Sequence, residues 1–212
     1  MSDSDLTRLV MLLDRSGSMQ SIKTDVEGGF AAFIQEQAAC RGTCTVSLAR
    51  FDTEYELVYQ DKDIEKIPHL DLRPRGATAL LDAMARLILE TDAELAAMAE
   101  EDRPGTVVVA IMTDGLENSS IEWTHAAVKS LVDQQRARGW QFVYMGADQD
   151  AVEVGVRMGI DADHSVTFAR GKSREAMAAA SSNIRGFREA APEDRLAGMP
   201  AFSPEQRSGL GD

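Results

Sequence analysis

Five oxygen-bearing side chains, at three places in the chain, have the chemistry to hold a hard divalent cation. The stretch Leu9-Val10-Met11-Leu12-Leu13-Asp14-Arg15-Ser16-Gly17-Ser18-Met19 ends an apolar run in one carboxylate and two hydroxyls at alternate positions. A third hydroxyl, Thr78, follows Gly76 and Ala77 just before a long helical pattern, and a second apolar run, Thr106 to Met112, ends in Thr113-Asp114-Gly115. Oxygens of this kind suit Mg2+ or Mn2+. Mg2+ takes about six oxygens at roughly 2.0–2.1 Å, usually from one or two carboxylates with waters or borrowed ligands making up the rest. Asp14, Ser16, Ser18, Thr78 and Asp114 are too few to close a cage. With Ser16, Ser18 and either Thr78 or Asp114 bound directly, and the remainder acting through water, one position stays open. Two aspartates balance the ion's charge, so an incoming carboxylate meets little local repulsion. That describes a binding site more than a storage site.

The elements that must position these residues are legible in the hydropathy pattern. Neither apolar run shows polar alternation, as expected of strands covered on both faces, and open α/β sheets carry their sites at the carboxyl ends of such strands. Each fragment also has an ordinary reading. Ser16 and Ser18 could cap the next helix, Thr78 could be an N-cap, and Asp114-Gly115 is a common turn dipeptide. Their joint occurrence at two strand ends and one helix start favours the metal set.

The pattern Asp14-x-Ser16-x-Ser18, then Thr78, then Asp114 after a hydrophobic strand resembles the von Willebrand factor A domain family with its metal-ion-dependent adhesion site, in the bacterial stand-alone form. The resemblance covers roughly residues 6 to 170. It implies a Rossmann-like fold, with a mostly parallel sheet of six strands, one antiparallel edge strand, and helices on both faces. It also implies that the five residues hold a divalent metal, with Mg2+ expected and Mn2+ or Ca2+ compatible, and that a partner protein's carboxylate fills the open position. Partners of such domains include ATPases and other complex-forming proteins. Arg15, Met19, Gly115 and Asp148 are the expected rim of the partner surface.

Along the chain, strands and helices alternate, which argues for helices covering a parallel-type sheet. Ser21 to Ala39 has Ile22, Val26, Phe30, Phe33 and Ile34 at helical spacing, and Gly42 stops it. Thr43–Phe51 and Tyr55–Tyr59 read as strands joined by a turn so short that they must be antiparallel. Ala79 to about Glu101 is a long helix. Glu117 begins a loop leading to a helix through Arg138, with Ser119 or Thr124 as its cap. Trp140–Met145 and His164–Phe168 read as strands, Asp148–Met158 as a short helix capped by Asp148, and Ser173–Glu189 as a final helix. Residues 1–190 make the expected domain. From Ala191 to Asp212, Pro, Gly, Ser and charge replace periodicity, so this segment is expected to be a flexible tail.

Composition excludes several classes. The 212 residues include 22 Lys and Arg against 35 Asp and Glu, a net charge of −13, which argues against nucleic acid and anionic membranes as partners. Neither a span-length apolar run nor the basic and apolar parts of a signal peptide is present, so a cytoplasmic location is expected. Cys40 and Cys44 lack the second ligand pair of a zinc site and are read as reduced, structural cysteines. Gly171-Lys172-Ser173 lacks the earlier glycine of a phosphate loop, since position 166 is valine. His69, His125 and His164 are isolated. The functional expectation is a noncatalytic interaction module. Its rival is a metal-dependent phosphatase or hydrolase with Asp14 as nucleophile. That rival lacks the second acid expected two residues on, because Ser16 stands there, and no general base of suitable pKa is apparent.

Overall fold

The computed structural model describes residues 3–211. Met1, Ser2 and Asp212, which the expected boundaries include, lie outside the described residues. Six strands form one sheet: β1 Asp3–Asp14, β2 Thr43–Phe51, β3 Tyr55–Asp63, β4 Pro104–Thr113, β5 Gln141–Ala147 and β6 Ser165–Phe168, in the order β3-β2-β1-β4-β5-β6. All neighbours pair in parallel except β2 with β3, the antiparallel edge hairpin that the short Asp52-Thr53-Glu54 turn requires.

β1 lies at the centre of this sheet and sorts its side chains by parity. Leu9, Met11 and Leu13 join one core with α1 (Lys23–Ala38) and α5 (Ser173–Glu189). Val10 and Leu12 join the other with α2 (Leu80–Ala97) and α3 (His125–Ala137). A strand buried on both faces must be apolar throughout, which explains the unbroken run. The register brings the carboxyl ends of the five parallel strands to one edge: Asp14 pairs with Phe51, Thr113 with Gly146, and Ala147 with Phe168.

Several boundaries differ from expectation. The long helix ends at Ala97 rather than Glu101, because the acidic stretch Glu100–Asp102 forms a separate 3-10 turn. The helix after β5 is α4, Ala151–Arg157, and Asp150 caps it through Glu153 N; Asp148 does not. Thr124, not Ser119, caps α3.

The segment after Ala191 also departs from its composition. It carries α6 (Pro192–Arg195) and α7 (Pro204–Leu210), and Met199, Phe202 and Leu210 are buried in the α1/α5 core. Three apolar anchors, a capping box at Ser203 and Gln206, and the bond from Ala169 N to Leu210 O hold it down. Sparse anchors without periodicity gave no signal of this docking.

Candidate metal centre

Shortly after β1 the chain enters a 3-10 turn, Gly17–Ser21, which carries Ser18 and is preceded by Ser16. Ser16 is at its N-cap position, yet its side chain caps nothing; its Oγ instead lies 3.1 Å from Ser18 Oγ. Ser18 Oγ donates to Asp114 Oδ1 at 2.5 Å, joining residues 96 positions apart. Thr78 is likewise not a helix cap, since Ala79 takes that position without a side-chain bond. A β-carbon placed on Gly115 would stand 2.9 Å from Thr78 Oγ1 and 3.8 Å from Ser18 Oγ, so both hydroxyls flank one point that only glycine leaves open. The five expected ligand residues therefore converge. Ser18 is exposed, whereas Asp14, Ser16, Thr78 and Asp114 are buried, so the cluster opens to solvent on the Ser18 side.

The hydrogen bonds to the two carboxylates come from neutral donors. Asp14 accepts from Ser16 N through Oδ1 and from Thr113 Oγ1 through Oδ2, both at 2.5 Å. Burial pushes the Asp14 carboxyl up to about 6, and those hydrogen bonds only partly offset the effect. Asp114 is also raised, chiefly by burial, against the lowering pull of Ser18 and Arg170. Its Oδ2 is buried without a hydrogen bond, the nearest opposing charge being Arg170 Nη2 at 3.5 Å. Two buried carboxylates, hydroxyls facing them, and an orphaned oxygen form a hard-oxygen donor set that fits a divalent cation.

Three supports hold the loops. Arg15 is not on the rim: its guanidinium is buried, pairing with Asp52 at 2.8 Å and with Glu56. Asp52 also takes Arg75 at 2.8 Å, while Gly17 N donates to Gly76 O and Arg75 N to Arg15 O. This ties the loop before Thr78 to the serine turn. Asn118 grips Thr78 on both backbone groups, its Oδ1 accepting from Thr78 N at 3.0 Å and its N donating to Thr78 O at 3.0 Å. Finally, Glu117 accepts from Leu81 N at the start of α2, and Asp82 of α2 accepts from Ile121, Glu122 and Trp123 backbone groups in return.

Met19, expected on the rim, is fully buried in the α1/α5 core, because the 3-10 turn points it inward. Gly115 packs beneath the Thr78 hydroxyl. Asp148 is exposed and holds Arg170, its Oδ2 accepting from Nε at 2.8 Å and its Oδ1 from the backbone N at 3.1 Å. Sequence reasoning missed Thr113, Asn118 and Arg170. Thr113 adjoins Asp114 at a strand end and Arg170 follows β6 at the same sheet edge, so both positions carried a signal. Asn118 carried none.

No protein-family model matches the chain, and no curated protein does either. Solved structures do match in fold. The proximal thread matrix protein 1 from the mussel byssus, with its zinc occupied MIDAS motif, superposes with a TM-score of 0.60 at 14% identity, covering 86% of this chain and 46% of that one. The vWF domain of the type V pili tip protein Mfa5 from Porphyromonas gingivalis gives a TM-score of 0.64 at 12% identity, covering 89% and 98%. A von Willebrand factor type A structure from Catenulispora acidiphila gives 0.57 at 14%, covering 86% and 43%. This chain thus spans about half the length of the byssus protein and nearly all of the pilus-tip domain. Its fold is the von Willebrand factor A fold.

Proposed function

We propose that this chain of von Willebrand factor A fold is a noncatalytic interaction module that binds a divalent cation at Asp14, Ser16, Ser18, Thr78 and Asp114 and takes a partner protein's carboxylate there. The supporting observation is the pair of buried carboxylates, Asp14, whose hydrogen-bond donors are all neutral, and Asp114, whose Oδ2 has no hydrogen bond and faces only the Arg170 guanidinium at 3.5 Å. Buried charge of one sign is costly unless an opposite charge joins it. A bound cation supplies that charge and, as a Lewis acid, an attachment point for a carboxylate. Mg2+ is the ion we favour, with Mn2+ and Ca2+ as alternatives; nothing in the donor set prefers a softer metal.

The hydrolase alternative asks Asp14 to attack a substrate. That carboxylate is fully buried, and both its oxygens already accept hydrogen bonds, from Ser16 N and Thr113 Oγ1. It is poorly exposed for a nucleophile. The partner we envisage is a complex-forming protein such as an ATPase, in the cytoplasm. No helix among the described residues is long and apolar enough to cross a membrane. Proteins that share the fold include a pilus tip and a byssus matrix component, so cell fractionation belongs with the binding test.

The test is a pull-down from lysate with and without EDTA, run for wild type and Asp14→Ala, beside direct Mn2+ titration. Mn2+ binding and a partner set that both vanish on chelation and in the variant are expected. Capture that survives chelation and mutation alike would assign recruitment to another surface. Metal-dependent phosphatase turnover lost in Asp14→Asn would favour the hydrolase.

A further inference from the structure

Arg170 is the one cationic side chain within ion-pairing distance of the candidate ligand carboxylates among the described residues, and its setting is built rather than incidental. Asp148 grips it twice, at the backbone N and at Nε. To do so Asp148 adopts φ of 50°, a left-handed backbone conformation that non-glycine residues enter only at a cost and that concentrates at functional sites. Nη1 donates to Ser21 Oγ at 3.2 Å, and Ser21 Oγ in turn donates to Ser18 O, inside the turn that carries Ser18. Nη2 faces Asp114 Oδ2 at 3.5 Å, an ion pair too long for a well-formed hydrogen bond. The side chain is 42% exposed. The guanidinium is therefore fixed on two sides and keeps donor capacity at the mouth of the metal centre.

We infer that Arg170 is a second anchor for the anion this site receives, so that an incoming carboxylate engages both the cation-binding set and the Arg170 guanidinium. The inference rests on the metal reading above and deepens it by naming what selects the ligand. Guanidinium forks match carboxylates in shape and offer parallel donors. With the site free of ligand, the same positive charge partly neutralises Asp114 and opposes cation entry. With a carboxylate present, its charge is answered by both Arg170 and the cation. Arg170 thereby couples the two binding events: each ligand improves the site for the other, as linkage requires. Asp148 acts as the positioning residue that keeps the guanidinium at the rim when Asp114 turns to the cation.

The experiment uses the full chain and two probes, Mn2+ titrated alone and acetate titrated onto Mn2+-loaded protein, the latter read by paramagnetic relaxation of the acetate methyl protons. In Arg170→Gln, Mn2+ alone should bind about fivefold more tightly, the scale of one partly exposed ion pair, while acetate should bind about fivefold more weakly. Arg170→Lys keeps the charge and loses the fork, so its Mn2+ affinity should match wild type while its acetate affinity falls between the other two. Opposite shifts in the two affinities support the inference, since a merely structural ion pair would not produce them. Unchanged acetate affinity in Arg170→Gln, or equal weakening of both probes, overturns it and leaves the metal reading intact. Wild-type protein that takes up no Mn2+ overturns both.

Discussion

β1 buries one charge at its middle and another at its carboxyl end, and the fold treats them in opposite ways. At mid-strand, Arg8 is completely buried and its charge is answered by two carboxylates: Nε donates to Thr45 Oγ1 at 2.9 Å, Nη1 to Glu94 at 2.6 Å, and Nη2 lies 2.6 Å from Asp61 Oδ1 as an ion pair without a formed hydrogen bond. At the carboxyl end Asp14 is buried just as fully, yet its partners are a hydroxyl and a backbone N–H, and the adjacent Asp114 repeats its charge. Six residues apart on one strand, the first charge is satisfied by the fold itself and the second is not. A buried charge that the protein compensates is a structural element. One that it leaves uncompensated is a place where something from outside completes the electrostatics.

Removing Arg8 tests the satisfied charge. Arg8→Met leaves Glu94 and the part-exposed Asp61 without their cation and should cost about 2–3 kcal/mol in urea denaturation; a loss below about 1 kcal/mol would make that position no more integrated than Asp14. At the unsatisfied end, Asp14→Asn should act with the opposite sign. The folded Asp14 carboxyl titrates near 6 against an ordinary 3.8, so it favours the folded state below pH 3.8, and that contribution is lost as pH rises through 6. In EDTA at pH 7.5 the variant should be more stable than wild type by up to about 3 kcal/mol, and the difference should shrink towards pH 4. A variant that is less stable at both pH values would mean that Asp14 contributes through its hydrogen bonds alone.

Supplying the missing charge should narrow the contrast. Mn2+ at about a hundred times its dissociation constant should raise wild-type stability by about 2.7 kcal/mol and should leave Asp14→Asn nearly unmoved. Equal stabilisation of both would locate the ion elsewhere. The smallest effect is expected from Gly115→Ala, whose new methyl meets Thr78 Oγ1 at 2.9 Å. Displacing one hydroxyl should weaken Mn2+ binding about tenfold, with metal-free stability little changed; undiminished affinity would take Thr78 out of the ligand set.

Much of the fold was readable from residue order, although the Arg8 side of the contrast was not. The apolar runs foretold β1 and β4, the short Asp52–Glu54 turn foretold the antiparallel edge, and the five ligand candidates were named from residue types together with the family resemblance. The rim fared differently. Arg15 and Met19 flank the serines in sequence but point away from solvent: the 3-10 turn aims Met19 into the core, and Arg15, which precedes the turn, is drawn inward by Asp52 and Glu56. The C-terminal segment departs from its composition for a related reason: Met199, Phe202 and Leu210 are too widely spaced to show a period, and their burial depends on α5 and β6 lying beside the segment in the fold.

Patterns of period two and 3.6, turn residues, and the kinds of oxygen at strand ends are local properties, so the chain carried its architecture and its candidate ligand residues in plain order. Which charges become neighbours is not local. That Arg8 meets Glu94, that Arg170 meets Asp114 and Asp148, and that Asn118 grips Thr78 all depend on how strands distant in sequence fall into register. Coulomb and hydrogen-bond energies turn on separations of an ångström or two, and only the packed sheet with its loops sets those separations.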